Sequence, residues 1–246
     1  ASFQFLLTLK LTDNKITSLK SLQAVASKDA DDGEEQVSSW PCLTLLNLQK
    51  NQIKELSPIS SCPNLRYLDL SDNQISVITD DFDGHPALNE LDLGINQLAV
   101  IAKLAAMPEL RRLDLNNNKL KELSGLEGLA NLRYLNLKGN LLSGFDEGFP
   151  EMENLQELDI SSNPFSKIKT LEKLASLENL KILKLEKTTI SESGDSDYLF
   201  KIISKLVKLE EINNLLVNSS MRQLAIDYTK KKLAEKKRLQ KEEEER

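Results

Sequence analysis

The stretch DDFDGHP, Asp80 to Pro86, holds the only histidine of the chain, His85, beside Asp81, Asp83 and Gly84. Acidic residues at alternate positions before a glycine are how a calcium loop begins, and such a loop needs a bidentate glutamate at its twelfth position. The twelfth position is Gly94 counted from Asp83 and Asp92 counted from Asp81, so no metal site is expected and His85 is placed in a polar, convex turn. Cys42 and Cys62 are too few for a disulfide framework and are expected as buried, reduced thiols of a reducing compartment. No serine or cysteine can be paired with a histidine by motif, and there is no Cys-x-x-Cys and no phosphate-cradling glycine loop. The reading is of a non-enzymatic protein with no catalytic residue, cofactor or small-molecule substrate. Chemistry is left to side chains that bind, and those follow from the way the chain repeats.

LRYLDLSDNQI, Leu65 to Ile75, and LRYLNLKGNLL, Leu132 to Leu142, are nearly the same string. The grid L-x-x-L-x-L-x-x-N-x-(apolar) recurs with asparagine at Asn14, Asn51, Asn73, Asn96, Asn118, Asn140 and Asn163, and an eighth copy has Thr188 in that place. From Asn51 onward the spacings are 22, 23, 22, 22, 23 and 25 residues. In Leu68-Asp69-Leu70 the alternation sends leucines inward while Tyr67, Asp69 and Ser71 point outward on a short strand. Stacked copies bring the asparagines into a column, where an amide that both donates and accepts can pair turn backbone groups that would otherwise be buried alone. Thr188 can do only part of this. Leu120, Leu123, Leu126 and Leu129 lie on the return path and predict short helical turns there.

With these residues in place, the chain resembles leucine-rich-repeat proteins over nearly its whole length. The resemblance implies an α/β solenoid: a right-handed superhelix with one short parallel strand per coil and a concave sheet face. The 22-residue period is similar to the subclass of the protein phosphatase 1 leucine-rich regulatory subunit, from which the 23-residue copies with Phe82 and Phe149 depart. The solenoid is expected over 1–195, interrupted by an acidic insertion at about 25–41, where 15 residues exceed the period and Trp40 and Pro41 stand at the exit. A leucine solenoid needs its last coil covered. Residues 196–218 resemble the leucine-rich-repeat cap, with Asp197, Tyr198, Leu209, Ile212 and Asn213 in matching places. Tyr198, Ile202, Leu206, Leu209 and Ile212 are the expected apolar face. Caps of this kind occur in acidic leucine-rich nuclear phosphoproteins, the spliceosomal A-prime protein and several axonemal proteins.

Residues 219–246 carry a net charge of +3 against −9 on residues 1–218. They are expected to form a charged helical tail, docked at first through Met221, Leu224 and Tyr228. Its basic run, Lys230 to Arg238, is expected as a solvated helix, so nucleic acid is an unlikely partner. The sequon at Asn218 is expected to be unmodified. No apolar run approaches the roughly 20 residues of a membrane span, and no membrane partner is expected.

The binding residues are those that vary on the outward face. The middle column contains the acidic ladder Asp69, Asp92, Asp114 and Asp159; the column before it holds Tyr67, Glu90, Arg112 and Tyr134. Aromatic and arginine side chains are frequent binding anchors. The expected partner is a protein, a helix or small domain with basic character. The resemblance implies a protein-interaction scaffold, a structural subunit of a larger assembly such as a ciliary axonemal complex in the cytoplasm. The alternative is a regulatory adaptor of the phosphatase-regulator or nuclear acidic leucine-rich type.

Overall fold

The computed structural model describes residues 5–22, 26–27, 36–37, 40–101, 103–145, 149–192 and 197–244. Each L-x-L triplet is a three-residue strand: Thr8–Lys10, Leu45–Asn47, Tyr67–Asp69, Glu90–Asp92, Arg112–Asp114, Tyr134–Asn136, Glu157–Asp159 and Ile182–Lys184. Successive strands pair in parallel and in phase, so Leu68 stands beside Leu46 and Leu91, and Leu135 beside Leu113 and Leu158. These leucines point inward and are no more than 2% exposed. The outcome is a parallel-strand solenoid with one core running its length.

The asparagine column fastens one coil to the next. Asn118 Nδ2 donates to the Leu115 and Asn116 carbonyls of its own coil and to Leu93 of the preceding coil, while its Oδ1 accepts the Leu98 amide. Asn73, Asn96 and Asn163 repeat all four bonds. All four asparagines are buried. Asn14 departs from the expected burial: it is exposed and bonds only within its own coil, to Leu11 and Thr12. Its first-rung position explains this, since no earlier coil among the described residues covers it. Thr188 is buried but turns its hydroxyl to Leu185 and Ser191, and the Phe165 amide pairs locally with the Asn163 carbonyl. The threonine thus keeps the local bond and loses the cross-coil one.

Every residue before a column position has a left-handed backbone: Asp13, Lys50, Asp72, Ile95, Asn117, Gly139, Ser162 and Lys187 have φ between 50° and 69°. Only glycine takes this geometry without steric cost, yet seven of the eight are other residues. For Ile95 the β-branch makes the conformation a strained one, held by the bonds on either side of it.

The return paths differ from the expected helical turns. Between Lys121 and Ala130 the backbone runs as successive turns, with Gly125 and Gly128 at φ of 97° and 92°. Leu123, Leu126 and Leu129 still reach the core. A 22-residue coil leaves too little chain for a helix once the strand and its turn are built. The 25-residue coil does have room, and holds helical turns at Ile168–Leu171 and Glu172–Ser176. Phe82 and Phe149 fill the wider coils, Phe149 meeting Phe145 edge-on at 5.1 Å.

His85 is a correction of a different kind. It is 2% exposed, not a polar surface residue; its Nε2 lies 2.9 Å from the Cys62 carbonyl and its Nδ1 accepts the Ala87 amide. Those two bonds define a neutral ring that ties two coils together, and burial lowers its pKa. Cys62 is buried as expected, but Cys42 is only half-buried. Of the acidic insertion, Ala26–Ser27 pairs antiparallel with Gln36–Val37, and residues 25, 28–35 and 38–39 lie outside the described residues. Trp40 at its exit packs against the core.

At the C-terminal end the helix Asp197–Lys205 buries Tyr198, Ile202 and Ile203. Leu209 and Ile212, which follow the helix, are buried too. The chain leaves the helix and forms a ninth parallel strand, Glu211–Ile212, then turns through the left-handed Asn213 and Asn214 into the antiparallel edge Leu215–Leu216. Asn213 Oδ1 accepts the Leu185 amide at 2.8 Å, the place a backbone carbonyl fills in earlier coils. Asn218 caps the last helix, Ser219–Glu244, by accepting the Met221 amide. That helix docks by Ala225, which is fully buried, with Met221 and Tyr228 half-buried; Leu224, expected in the contact, is 59% exposed because it lies on the opposite side. Tyr228 donates to Asp197, its ring lies 5.6 Å from that of Phe200, and Arg222 donates to the Leu206 and Leu209 carbonyls. From Lys230 to Glu243 every side chain is exposed.

Replacing Asn118 with alanine strands buried backbone groups on two coils and should cost on the order of 2–3 kcal/mol in urea unfolding; an unchanged midpoint would contradict the column's role. Ile95→Asn, at an exposed side chain in a left-handed position, should raise stability by about 1 kcal/mol in the same assay.

Candidate functional site

The expected binding residues stand together on the solvent side of the central strands, in two columns set by the pairing. Tyr67, Glu90, Arg112, Tyr134 and Glu157 form one, and Asp69, Asp92, Asp114, Asn136 and Asp159 the other. The charges of the first column are paired, one of them by a lysine of the second. Arg112 lies 3.5 Å from Glu90 and its guanidinium carbon sits 3.9 Å above the Tyr134 ring, while Lys184 donates to Glu157 at 2.9 Å. Burial first, then the surrounding carboxylates, raise the Tyr67 and Tyr134 pKa values, so both phenols stay protonated hydrogen-bond donors.

The acidic column is less free than its outward direction implies. Asp69 is 6% exposed, with Oδ1 accepting the Ser71 amide and hydroxyl and Oδ2 accepting Asn47. Asn47, Asp92, Asp114, Asn136 and Asp159 likewise each accept the amide two residues on, at 2.8 to 3.1 Å. This short side-chain loop ends the strand and starts the left-handed turn, which is why aspartate or asparagine stands there in six coils. Asp114 Oδ2 is taken by Asn136.

Asp92 and Asp159 each hold the amide two residues on through Oδ1, at 2.8 and 2.9 Å, and the second oxygen of each has no hydrogen-bond donor among the described residues; of the two, Asp92 stands between two other aspartates, Asp69 and Asp114. Burial, with Asp114 and Asp69 adding repulsion against the pull of the Gly94 amide and Arg112, pushes its pKa from 3.8 up to about 6. It lies at a hollow of about 110 Å³ walled by Tyr67, Glu90, Arg112, Asp114 and Tyr134. Gly94 is needed beside it, for a Cβ there would meet Asn116 Nδ2 at 2.4 Å, so that side chain already fills the space. The arrangement is suited to a cation flanked by aromatic rings. Among the described residues no group of three or more His, Cys, Asp and Glu is arranged to hold a metal, and no helix is long and apolar enough to cross a membrane.

A third column was not singled out from the sequence. Arg66, Asn89, Arg111, Arg133, Gln156 and Lys181 stand just before the strands, stacked by amide-to-carbonyl bonds of 2.8 to 2.9 Å from each to the next. A groove of about 450 Å³ runs along it from Asn89 to Lys181. The same repeat phase, read one position earlier, would have revealed it.

A stacked parallel sheet with an open, charge-patterned face defines a repeat protein of the solenoid type. Residues 41–98 match the family described as leucine rich repeat and residues 85–242 a second described as leucine-rich repeat, so the chain belongs to the leucine-rich-repeat family. A comparison with curated proteins finds no match. Among solved structures, a leucine-rich-repeat protein of Leptospira interrogans is 24% identical with a TM-score of 0.64, covering 85% of this chain and 49% of its own. The chain thus spans about half the length of that protein. Internalin C2 of Listeria monocytogenes is 23% identical with a TM-score of 0.58, over 83% of this chain and 79% of its own. These two likenesses concern the fold. A chain of the Drosophila melanogaster SNF/U2A′ complex is 26% identical with a TM-score of 0.52, over 56% of this chain and 79% of its own.

The Asp92 environment sets a pH dependence. Its folded pKa lies above the unfolded one, so its stabilising contribution is full below about pH 3.8 and is lost as pH rises through about 6. Asp92→Asn keeps an acceptor for Gly94 and should be more stable than the parent at pH 7 by about 1 kcal/mol, a figure reduced for solvent screening of this half-buried group. The two melting curves should converge below pH 4; a gap that ignores pH would count against this account.

Proposed function

We propose that the chain is a non-enzymatic scaffold that holds a protein partner on its sheet face, and that it serves as a structural subunit of a larger assembly such as a ciliary axonemal complex. The observation that carries the binding role is the hollow at Asp92, where one carboxylate oxygen is without a donor among the described residues and stands between two half-buried tyrosines. A basic side chain of a helix or small domain suits it: the cation restores the carboxylate, and Tyr67 and Tyr134 cover its stem. Tyr67, Asp69, Glu90, Asp92, Arg112, Asp114, Tyr134 and Asp159 are the proposed contact residues. The assembly role is supported by the helix Ser219–Glu244, whose charged half stands clear of the body and can reach a second component.

A second reading is a regulatory adaptor of the phosphatase-regulator or nuclear acidic leucine-rich type; the similarity to a chain of the SNF/U2A′ complex supports only work as a member of a protein complex. The two readings differ in the company the protein keeps. Affinity purification of the tagged chain from its native source should recover axonemal structural proteins under the first and phosphatase or nuclear ribonucleoprotein components under the second.

The triple variant Tyr67→Ala, Arg112→Ala, Tyr134→Ala removes side chains that do not build the core and should cost about 0.5 kcal/mol of folding stability per site. It should lose at least about 2 kcal/mol of partner affinity, roughly thirtyfold. Undiminished capture by the folded triple variant would move the contact to another surface.

A further inference from the structure

The three columns form a charge gradient across the sheet face. On one border Arg66, Arg111, Arg133 and Lys181 stand with only Asn89 and Gln156 between them, and Arg66 and Arg133 make no ion pair among the described residues. On the other border run Asp69, Asp92, Asp114 and Asp159, with Asn136 between the last two and Lys184, paired with Glu157, at the final rung. In the column between, Arg112 pairs with Glu90, and Glu157 is neutralised by Lys184 reaching over from the aspartate border, leaving the surfaces of Tyr67, Tyr134 and Ile182.

Two distances limit what can lie there. The borders are three residues apart along an extended chain, about 10 Å, which is close to the 10–12 Å diameter of an α-helix. Rungs repeat at about 4.8 Å along the solenoid, and a helix rises about 4.5 Å in three residues. A helix laid across the strands therefore offers about one side chain per coil to each border. From the Tyr67 strand to the Ile182 strand there are five such steps, about 24 Å, or roughly 16 helical residues.

We propose that this face is built for an amphipathic helix with an apolar central stripe and flanks of opposite sign, acidic against the arginine border and basic against the aspartate border. The proposal rests on the sheet face being the binding surface and adds an acidic flank to the basic one already inferred. It also fixes a direction, because end-to-end reversal of the helix sets like charges against each other, and such juxtapositions select against wrong arrangements.

The test uses the full chain and three fluorescein-labelled, 18-residue, alanine-rich helical peptides with a central leucine stripe. The first has lysines on one flank and glutamates on the other, the second has the same composition with the charges interspersed, and the third replaces every glutamate of the first with glutamine. Fluorescence anisotropy at low salt should show the segregated peptide binding at least tenfold tighter than either of the others. The Arg111→Glu, Arg133→Glu variant should lose at least tenfold affinity for the segregated peptide, with its melting temperature retained.

Equal binding of segregated and interspersed peptides overturns the proposal, as does equal binding of the glutamine peptide, since the arginine border would then play no part. Absence of binding by all three also overturns it, as does tighter binding of a labelled single-stranded oligonucleotide to the arginine border. Native-partner capture that is lost in the Tyr67, Arg112, Tyr134 triple variant but kept in the Arg111, Arg133 variant refutes this inference alone. Capture kept in both refutes the sheet-face reading on which it rests.

Discussion

The hydrogen-bonding demand of the turn after each strand governs this structure. A coil of 22 residues must leave its strand abruptly, and the turn carries amides and carbonyls into a region packed with leucine, where an unpaired group costs more than any single contact returns. One asparagine resolves it by donating to carbonyls on two coils and accepting an amide from the previous one. The bond that completes one turn thus also fastens it to its neighbour. Stacking and local geometry cannot be separated, and a coil alone could complete neither. The left-handed residue before each asparagine belongs to the same constraint: the bonds around Ile95 hold it where its own side chain would not place it.

The aspartates of the sheet face serve this turn as well. Each gives one oxygen to the amide two residues on, so the acidic column is partly a by-product of ending strands. That duty leaves an oxygen over at Asp92 and at Asp159. At Asp69 and Asp114 the second oxygen is taken by a neighbouring asparagine. At Asp92 the neighbour across the coil is Asp114 on one side and Asp69 on the other, and neither can donate. Three aspartates in consecutive coils thus leave the middle carboxylate unpaired on one oxygen among the described residues, with Tyr67 and Tyr134 set beside it by the same register.

The end of the solenoid shows what happens as the column fails. Thr188 cannot reach the earlier coil, and helical turns with a capping helix take over the covering of the core. The last strand then finishes the sheet with an asparagine side chain in place of a carbonyl, and a two-residue turn folds the edge back on itself. The terminal helix inherits this closure: its first turns are locked to the cap by Arg222 and Tyr228, and its charged remainder has nothing to rest on.

How much of this the sequence determined follows from what a periodic pattern can encode. The strands, their parallel order, the inward leucines and the asparagine column were legible because each depends on residue type at a fixed phase. The outward aromatic and acidic columns were legible for the same reason, and the arginine column would have been had the phase been read one position earlier. Other features depend on what lies one coil away. His85 is a satisfied core histidine because the Cys62 carbonyl, 23 residues back, comes within 2.9 Å. Asp92 has a raised pKa because its neighbours are aspartates and not asparagines. Leu224 faces water and Ala225 the cap because the helix packs at an angle that its own apolar spacing does not state. Local periodicity specifies which face a residue takes; only the stacked structure decides what that face meets, since partners 20 or more residues distant are chosen by register and not by spacing.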